Sequence, residues 1–137
     1  MYTVVQLARA AGSTPDAVRH YTEIGLLHPQ RDRRNNYRRY PDGDRQRLAF
    51  IRTSRELGFS LEDIRRILAE ADRGDSPCPQ VRELYARRLA AVEAEIERLS
   101  EQREHMQKLL RRWKKLPDSA PSGDSLCHLI GSSCCAD

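Results

Sequence analysis

The sequence has 137 residues, of which 39% are hydrophobic, 32% charged and only 6% aromatic. These proportions fit one small domain, or a compact module with a long appendage, and argue against the large core of an enzyme. The formal net charge is +4, and 21 of the 24 basic residues are arginines. That bias suits bidentate contact with phosphates and base edges, although a GC-rich genome also produces it.

No segment of the chain has the pattern of a membrane span or a signal peptide. Apolar runs stay well below the roughly 18 residues that a span requires. The N-terminal residues lack the charged-then-apolar order of a secretory signal. We therefore expect a cytoplasmic, nucleoid-associated protein whose four cysteines stay reduced, rather than a disulfide scaffold.

Residues 3–25 have the pattern of two short helices joined by a tight turn. Apolar residues recur at helical spacing from Thr3 to Ala11, and Gly12 ends this first helix. A second helix begins with Pro15 in its first turn and stops at Gly25. This outline predicts a helix-turn-helix, in which the second helix enters the major groove of DNA. The exposed side of that helix carries Asp16, Arg19, His20 and Glu23.

The next segment, residues 26–40, loses the helical period and predicts a β-hairpin-like wing. Asn35 and Asn36 tolerate the positive φ of a tight turn, and Tyr37 favours a strand. The stretch from Arg31 to Arg47 carries seven arginines against three aspartates. A short basic block between helices predicts contact with an anion, usually nucleic acid, with a solvated loop as the alternative.

Two further helices follow the wing. Pro41 and Asp42 open a third helix that ends near Gly58. A fourth helix is capped by Ser60, with acidic residues in its first turn, and it ends at the Gly-Asp-Ser-Pro stretch of residues 74–77. Residues 1–75 are therefore predicted to form a DNA-binding domain with connecting helices.

Residues 78–116 predict a long coiled-coil helix. This helix repeats apolar residues in heptads, at alternating spacings of four and three residues, and eight of nine seam positions are apolar. A narrow apolar seam on a polar helix needs a partner, so we expect a homodimer, with packing of the helix against its own domain as the alternative. The apolar seam positions are Tyr85, Leu89, Val92, Ile96, Leu99, Met106, Leu110 and Trp113, and Arg103 is the polar exception.

Four runs of residues together resemble a known family. They are Val5-Gln6-Leu7-Ala8, the run from Val18 to Leu27, Asn36-Tyr37-Arg38-Arg39-Tyr40, and the run from Leu57 to Ile64. In this order and spacing they resemble the MerR family of transcription regulators over about residues 2–113. One aromatic residue of the family pattern is replaced by His20.

The resemblance implies a mainly α-helical fold and a mode of action. The fold is a winged helix-turn-helix domain followed by an antiparallel coiled-coil dimerisation helix and a short cysteine-containing tail. Such dimers sit on promoters whose −35 and −10 elements are spaced too far apart. The effector-bound dimer is expected to distort the spacer so that RNA polymerase engages both elements, which is specificity through DNA deformation.

The resemblance also assigns DNA contacts to particular residues. It implies that Arg19 and Tyr21, with His20 between them, face the groove and the DNA backbone. Tyr37 and Arg38 would hold phosphates on the wing. Arg39 and Tyr40 would support them, although Tyr21 and Tyr40 are also good core residues.

The four cysteines fall in two segments, with Cys78 before the long helix and Cys127, Cys134 and Cys135 in the tail of residues 117–137. If the long helices pair in antiparallel fashion, as the resemblance implies, Cys78 of one copy faces the tail of the other. Several thiolates would then meet at the dimer junction, where a soft metal binds well. His128 is a further candidate ligand.

The position of Cys78 at the start of the long helix resembles the family's mercury, cadmium, lead and zinc sensors, which have a cysteine there. The copper sensors of the family have a serine at that position. Cys127 resembles the second cysteine of their metal loop. The first loop cysteine is missing, since residues 116–126 contain none, and Cys134 or Cys135 are candidates to replace it. We therefore expect a soft divalent metal ion as effector and no organic cofactor.

Other functions compete with this prediction. One is a redox or electrophile sensor that uses the same cysteines, and another is a copper(I)-type sensor. An enzyme is not expected, because the sequence has no Cys-x-x-Cys in a βαβ setting and no glycine-rich phosphate loop.

Overall fold

The computed structural model describes residues 1–131, and it is mainly helical with a small two-stranded wing, as the sequence predicts. Cys134 and Cys135 lie outside the described residues. In chain order the elements are α1 (Val4–Ala10), α2 (Pro15–Glu23), β1 (Gln30–Arg31), β2 (Arg38–Arg39), α3 (Asp44–Leu57), α4 (Leu61–Asp72), α5 (Cys78–Lys114) and α6 (His128–Gly131).

Local capping chemistry explains where the first helices begin. The hydroxyl of Thr3 accepts a hydrogen bond from the amide of Gln6, and the side-chain carbonyl oxygen of Gln6 accepts one from the amide of Thr3. The hydroxyl of Thr14 caps α2, with Pro15 in its first turn. Ser60 and Asp63 form a second reciprocal box at α4. Each such cap stabilises its helix by about 1 kcal/mol.

The chain divides into two compact units, and the first, Met1–Arg88, contains the buried core. Side chains from α1, α2, α3 and α4 meet there, joined by residues of the connecting segments and one residue of α5. The largest fully buried members are Tyr40, Leu7, Leu26, Leu27, Leu48, Ile51, Ile64, Ile67 and Val18. From α5 the core receives Leu84, which is 6% exposed.

The wing is a short antiparallel hairpin in which Gln30 pairs with Arg39 and Arg31 with Arg38. Its turn contains Asn36 at φ 61°, the positive value that asparagine tolerates better than most residues. The prediction of a turn at the asparagine pair is therefore confirmed.

Four arginines of α3 and α4 bind main-chain carbonyls of the segments that connect the helices and strands. Arg52 donates to the carbonyl of Gly12 at 2.7 Å, behind the end of α1, and Arg65 donates to that of Ile24 at the end of α2. Arg47 donates to the carbonyl of Leu26 at 2.7 Å, and Arg55 to that of Phe59 at 3.1 Å. The contact of Arg65 satisfies a carbonyl at a helix end, and the other three hold the carbonyls of the segments that follow α1, α2 and α3.

The second unit, Leu89–Asp137, contains the greater part of α5 and the tail. No buried side chain occurs among its described residues, up to residue 131. Six apolar residues of α5 in this unit are 44–60% exposed, namely Leu89, Val92, Ile96, Leu99, Met106 and Leu110.

Two details of the predicted elements differ from the structure. Helix α3 begins at Asp44 rather than at Pro41 or Asp42. Residues 41–43 form a turn instead, in which the amide of Asp44 donates a hydrogen bond to the carbonyl of Pro41. The tail contains the short helix α6, which the sequence pattern does not predict. None of the described helices is long and apolar enough to cross a membrane.

Candidate nucleic-acid interface

Helix α2 presents a polar, exposed face. Arg19 and His20 are exposed, and Arg19 forms an ion pair with Asp16 at 3.0 Å one turn earlier. Since this pair is solvent-exposed, it contributes little to stability, and a phosphate can displace the carboxylate. The rings of His20 and Tyr21 lie 5.7 Å apart, so Tyr21 lies between this face and the core.

Tyr40 fastens the wing to the helices rather than lying on the surface. Its side chain is fully buried, and its hydroxyl shares a hydrogen bond of 2.7 Å with the hydroxyl of Thr22 on α2. Its main chain pairs with Tyr2 just before α1 through two hydrogen bonds of 2.8 Å. The position of the wing is therefore set by α1 and α2 together.

The wing displays its aromatic and basic residues to solvent. Tyr37 is 70% exposed, so its ring and its hydroxyl are accessible to a ligand. Arg31 donates from Nη1 to the carbonyl of Asn36 at 3.0 Å and so stiffens the hairpin turn. Arg39 lies 3.6 Å from Asp32, which fixes its direction.

A groove of about 590 Å³ joins the wing to the two helices. Its cationic side chains are Arg19 from α2, Arg31 from β1, and Arg38 and Arg39 from β2; the remaining lining residues are Thr3, Val4, Val5, Asn36 and Tyr37. A concave surface with four guanidinium groups, an exposed tyrosine and polar side chains suits the phosphate backbone of nucleic acid.

Most of the residues suggested by the sequence therefore lie at this groove or beside it. Arg19, Tyr37, Arg38 and Arg39 line it, His20 follows Arg19 on the exposed face, and Tyr21 and Tyr40 support it from the core. The lining residue Arg31 was counted in the basic block but not assigned a contact. Its only signal in the sequence was its place in the basic block of the predicted wing, and the structure adds that it pairs with Arg38.

A second exposed feature is the apolar seam of α5. Within the second unit, side chains of this seam border a groove of about 590 Å³ that includes Leu99, Met106, Leu110 and Trp113. The indole N–H of Trp113 is buried and has no hydrogen-bond partner among residues 1–131. Tyr85, the first seam residue, instead packs against Phe59 with ring centres 4.9 Å apart and donates to the carbonyl of Leu57.

The thiols of Cys78 and Cys127 are both exposed and free of disulfide bonds. Thiolates are suitable donors for soft metal ions. However, within residues 1–131 no group of three or more histidine, cysteine, aspartate or glutamate side chains is positioned to hold a metal ion. The described part of one copy therefore offers suitable donor chemistry without a complete ligand set. The Nε2 atom of His128 lies 2.9 Å from the carbonyl oxygen of Pro117.

Comparison with known proteins adds the family. Residues 2–71 match the model of the MerR HTH family regulatory proteins, and residues 45–109 match the model described as MerR, DNA binding. The HTH-type transcriptional regulator ZntR of Escherichia coli K12 is 36% identical over 110 residues, which are 80% of this chain and 78% of ZntR.

Two solved structures are also similar. The transcription regulator PbrR691 of Ralstonia metallidurans CH34, in complex with lead(II), superimposes with a TM-score of 0.75 at 27% identity, covering 96% of this chain and 98% of that one. HiNmlR, described as a MerR family regulator lacking the sensor domain and bound to promoter DNA, has a TM-score of 0.54 at 27% identity, covering 83% and 86%.

Proposed function

Because the chain belongs to the MerR family of HTH regulatory proteins, we propose that it is a dimeric, metal-responsive regulator that binds a promoter and distorts it when a soft metal ion binds. The relatives are transcriptional regulators, so the expectation that the chain is not an enzyme is confirmed. The observation that carries the proposal is the basic groove between α2 and the wing.

The groove supports contact with duplex DNA. Helix α2 fits a major groove with Arg19 and His20 towards the bases and backbone. Tyr37 and Arg38 on the wing then hold the flanking phosphates, with Arg39 and Tyr40 as supports. A relative in this family is bound to promoter DNA in its solved structure, which agrees with this choice of ligand.

Substitution of the groove arginines tests DNA binding. We expect Arg19→Ala and Arg38→Ala each to weaken binding by about tenfold or more, since each removes a charged phosphate contact worth about 1.4 kcal/mol or more. The measurement is fluorescence anisotropy with the duplex that the wild-type protein selects from a randomised pool. Arg87→Ala is the matched control, because Arg87 is an exposed arginine of α5 that pairs with Glu83. Unchanged affinity in both groove variants would contradict the assignment.

The exposed seam supports a homodimer. Two antiparallel copies of α5 would cover the apolar side chains that the described residues of one copy leave open. The dimer places two DNA-binding units on one promoter. Distortion of the spacer between them would let RNA polymerase engage both promoter elements, at a cost of several kcal/mol offset by protein contacts.

The effector is proposed to be a soft divalent ion, namely mercury, cadmium, lead or zinc. Cys78 and Cys127 supply thiolates, and Cys134 or Cys135, or the second copy, complete the ligand set. The exposed thiols and the similarity to a regulator solved with lead(II) support this choice. When bound, the ion would coordinate these thiolates together and so link the segments that carry them.

An anaerobic titration of the reduced protein tests metal binding. We expect thiolate-to-metal absorption in the ultraviolet with a sharp endpoint for one of these ions, lost in Cys78→Ser and in Cys127→Ser. Ser76→Ala is the control near Cys78, since its hydroxyl only accepts a hydrogen bond from the amide of Cys78. Absence of an endpoint with these ions and with copper(I) would instead favour a redox sensor, leaving the DNA-binding proposal intact.

A further inference from the structure

Arg47 makes a contact that none of the other carbonyl-binding arginines described above makes. It lies near the start of α3, and its Nε donates to the carbonyl of Leu26 at 2.7 Å. Its Nη1 and Nη2 donate to the two carboxylate oxygens of Asp72, at 2.8 and 3.1 Å. All three nitrogens of one guanidinium are therefore used, and they join three separate segments of the chain. Lysine cannot reproduce this planar fork.

Of the two segments that Arg47 joins to α3, one leads to the wing and the other leads to Cys78. Leu26 follows the glycine that ends α2, and the first strand of the wing begins four residues later at Gln30. Asp72 is the last residue of α4, and the short segment 73–77 connects it to Cys78 at the start of α5. Arg47 thus bridges the root of the wing and the helix end that precedes the proposed metal ligand.

The bridge differs from an ordinary surface pair in its bidentate geometry and in the burial of one partner. The Arg47 side chain is 18% exposed, so solvent screens it only in part, whereas the Asp72 side chain is 53% exposed. Its hydrogen bond lowers the pKa of Asp72 and keeps that carboxylate ionised. The arginines that bind the ends of α1 and α2 differ, because the carboxylates nearest to them, Glu56 and Glu62, lie on their own helices.

We propose that Arg47 is a positioning residue that couples the end of α4, and through it the Cys78 segment, to the root of the wing. This proposal deepens the metal-responsive function and rests on it for the direction of the signal. A shift at the end of α4 changes the bidentate contact with Asp72. The same guanidinium then moves or releases the Leu26 carbonyl, and with it the approach of the wing to DNA. In this proposal the network is formed in one state of the protein and broken in the other, as a switch requires.

The mechanical part of the proposal can be tested without metal. In Asp72→Asn we expect hydrogen exchange to rise about tenfold at the amides of Leu26 and Asp32, at the root and inside the wing, while amides in the middle of α3 change less than about threefold. Glu70→Gln is the matched control, since it removes one negative charge from the same helix end, where Glu70 pairs with the exposed Arg73. Arg47→Lys, which keeps the charge and loses the fork, should match Asp72→Asn.

Two results of the exchange experiment would overturn the coupling. One is exchange at the wing that stays at the wild-type rate in both variants. The other is exchange that rises equally throughout α3 and α4, because Arg47 would then be a general brace of the fold. An increase confined to the wing and its root supports the proposal, because a purely structural role does not select those amides.

Transcription in vitro with lead(II) tests the signalling part. We expect Asp72→Asn and Arg47→Lys to bind the promoter duplex and lead(II) within about threefold of wild type, and to lose about tenfold in lead-dependent activation. Full activation in both variants would overturn the signalling role. A wild-type protein that does not respond to any of the proposed metals would overturn the proposed function instead, and the exchange data would still decide the mechanical coupling.

Discussion

The two units of this protein differ in how far their apolar side chains are exposed to solvent. The first unit, Met1–Arg88, buries a continuous core whose largest members are fully inaccessible. The described residues of the second unit leave their apolar side chains about half exposed along one face of α5. Since burial of apolar surface is the main stabilising term in folding, the first unit can stabilise itself. The second requires a partner, which we propose to be another copy.

The largest effect should come from a charge placed in the seam. Ile96→Asp removes a large apolar side chain and adds a carboxylate that dimerisation would bury, once in each copy. We expect the dimer dissociation constant to rise about a thousandfold or more, so that light scattering shows one 15.8 kDa chain instead of two. The control is Ala94→Asp, on the opposite face of the same helix. A monomeric wild-type protein would contradict the comparison outright.

A smaller but still large effect is expected in the closed core. Leu48→Ala creates a cavity at a fully buried position of α3 and should cost about 2–5 kcal/mol of unfolding free energy. This loss should not depend on protein concentration, because the first unit closes its core alone. The same substitution at Leu110, which is half exposed, should act only through dimerisation and grow weaker on dilution. If both losses vary with concentration, the two units do not differ as described.

The smallest effect concerns pH. Burial raises the pKa of Asp44, so the folded protein binds this proton more tightly than the unfolded chain does. The contribution of Asp44 to stability therefore falls as pH rises above its ordinary pKa of 3.8. Asp72 acts in the opposite direction, because its lowered pKa gives a contribution that is lost on acidification.

Urea unfolding between about pH 3 and pH 7 separates these two carboxyls. We expect Asp44→Asn to gain stability relative to wild type as pH increases, and Asp72→Asn to lose it. A constant difference between wild type and Asp44→Asn across this range would show that the buried carboxyl does not titrate differently in the folded state.

Features fixed by neighbouring residues were predictable from the sequence. The cap at Ser60, the turn at Asn36 and the long helix depend on residues close in the chain, and each is found as expected. The family was predictable for the same reason, because its motifs are local runs of residues, and the family model confirms it.

Features that depend on distant residues were not predictable. The pairing of Arg47 with Asp72 joins residues 25 positions apart, and a charge pattern does not reveal which acid an arginine selects. Similarly, the heptad places Tyr85 on the seam, yet Phe59 and Leu57 bind it and Leu84 enters the core beside it. The DNA and metal contacts stay predictions until they are measured.

The arginines that hold helix ends also affect how strongly salt should weaken DNA binding. The logarithm of affinity for duplex DNA falls with the logarithm of salt concentration in proportion to the number of phosphates neutralised, because each contact releases a condensed counterion. The first 75 residues contain 14 arginines, but only four of them line the groove, and the carbonyl-binding arginines of α3 and α4 are not among those four. The salt dependence should therefore report the few guanidinium groups of the groove rather than the basic composition of the domain.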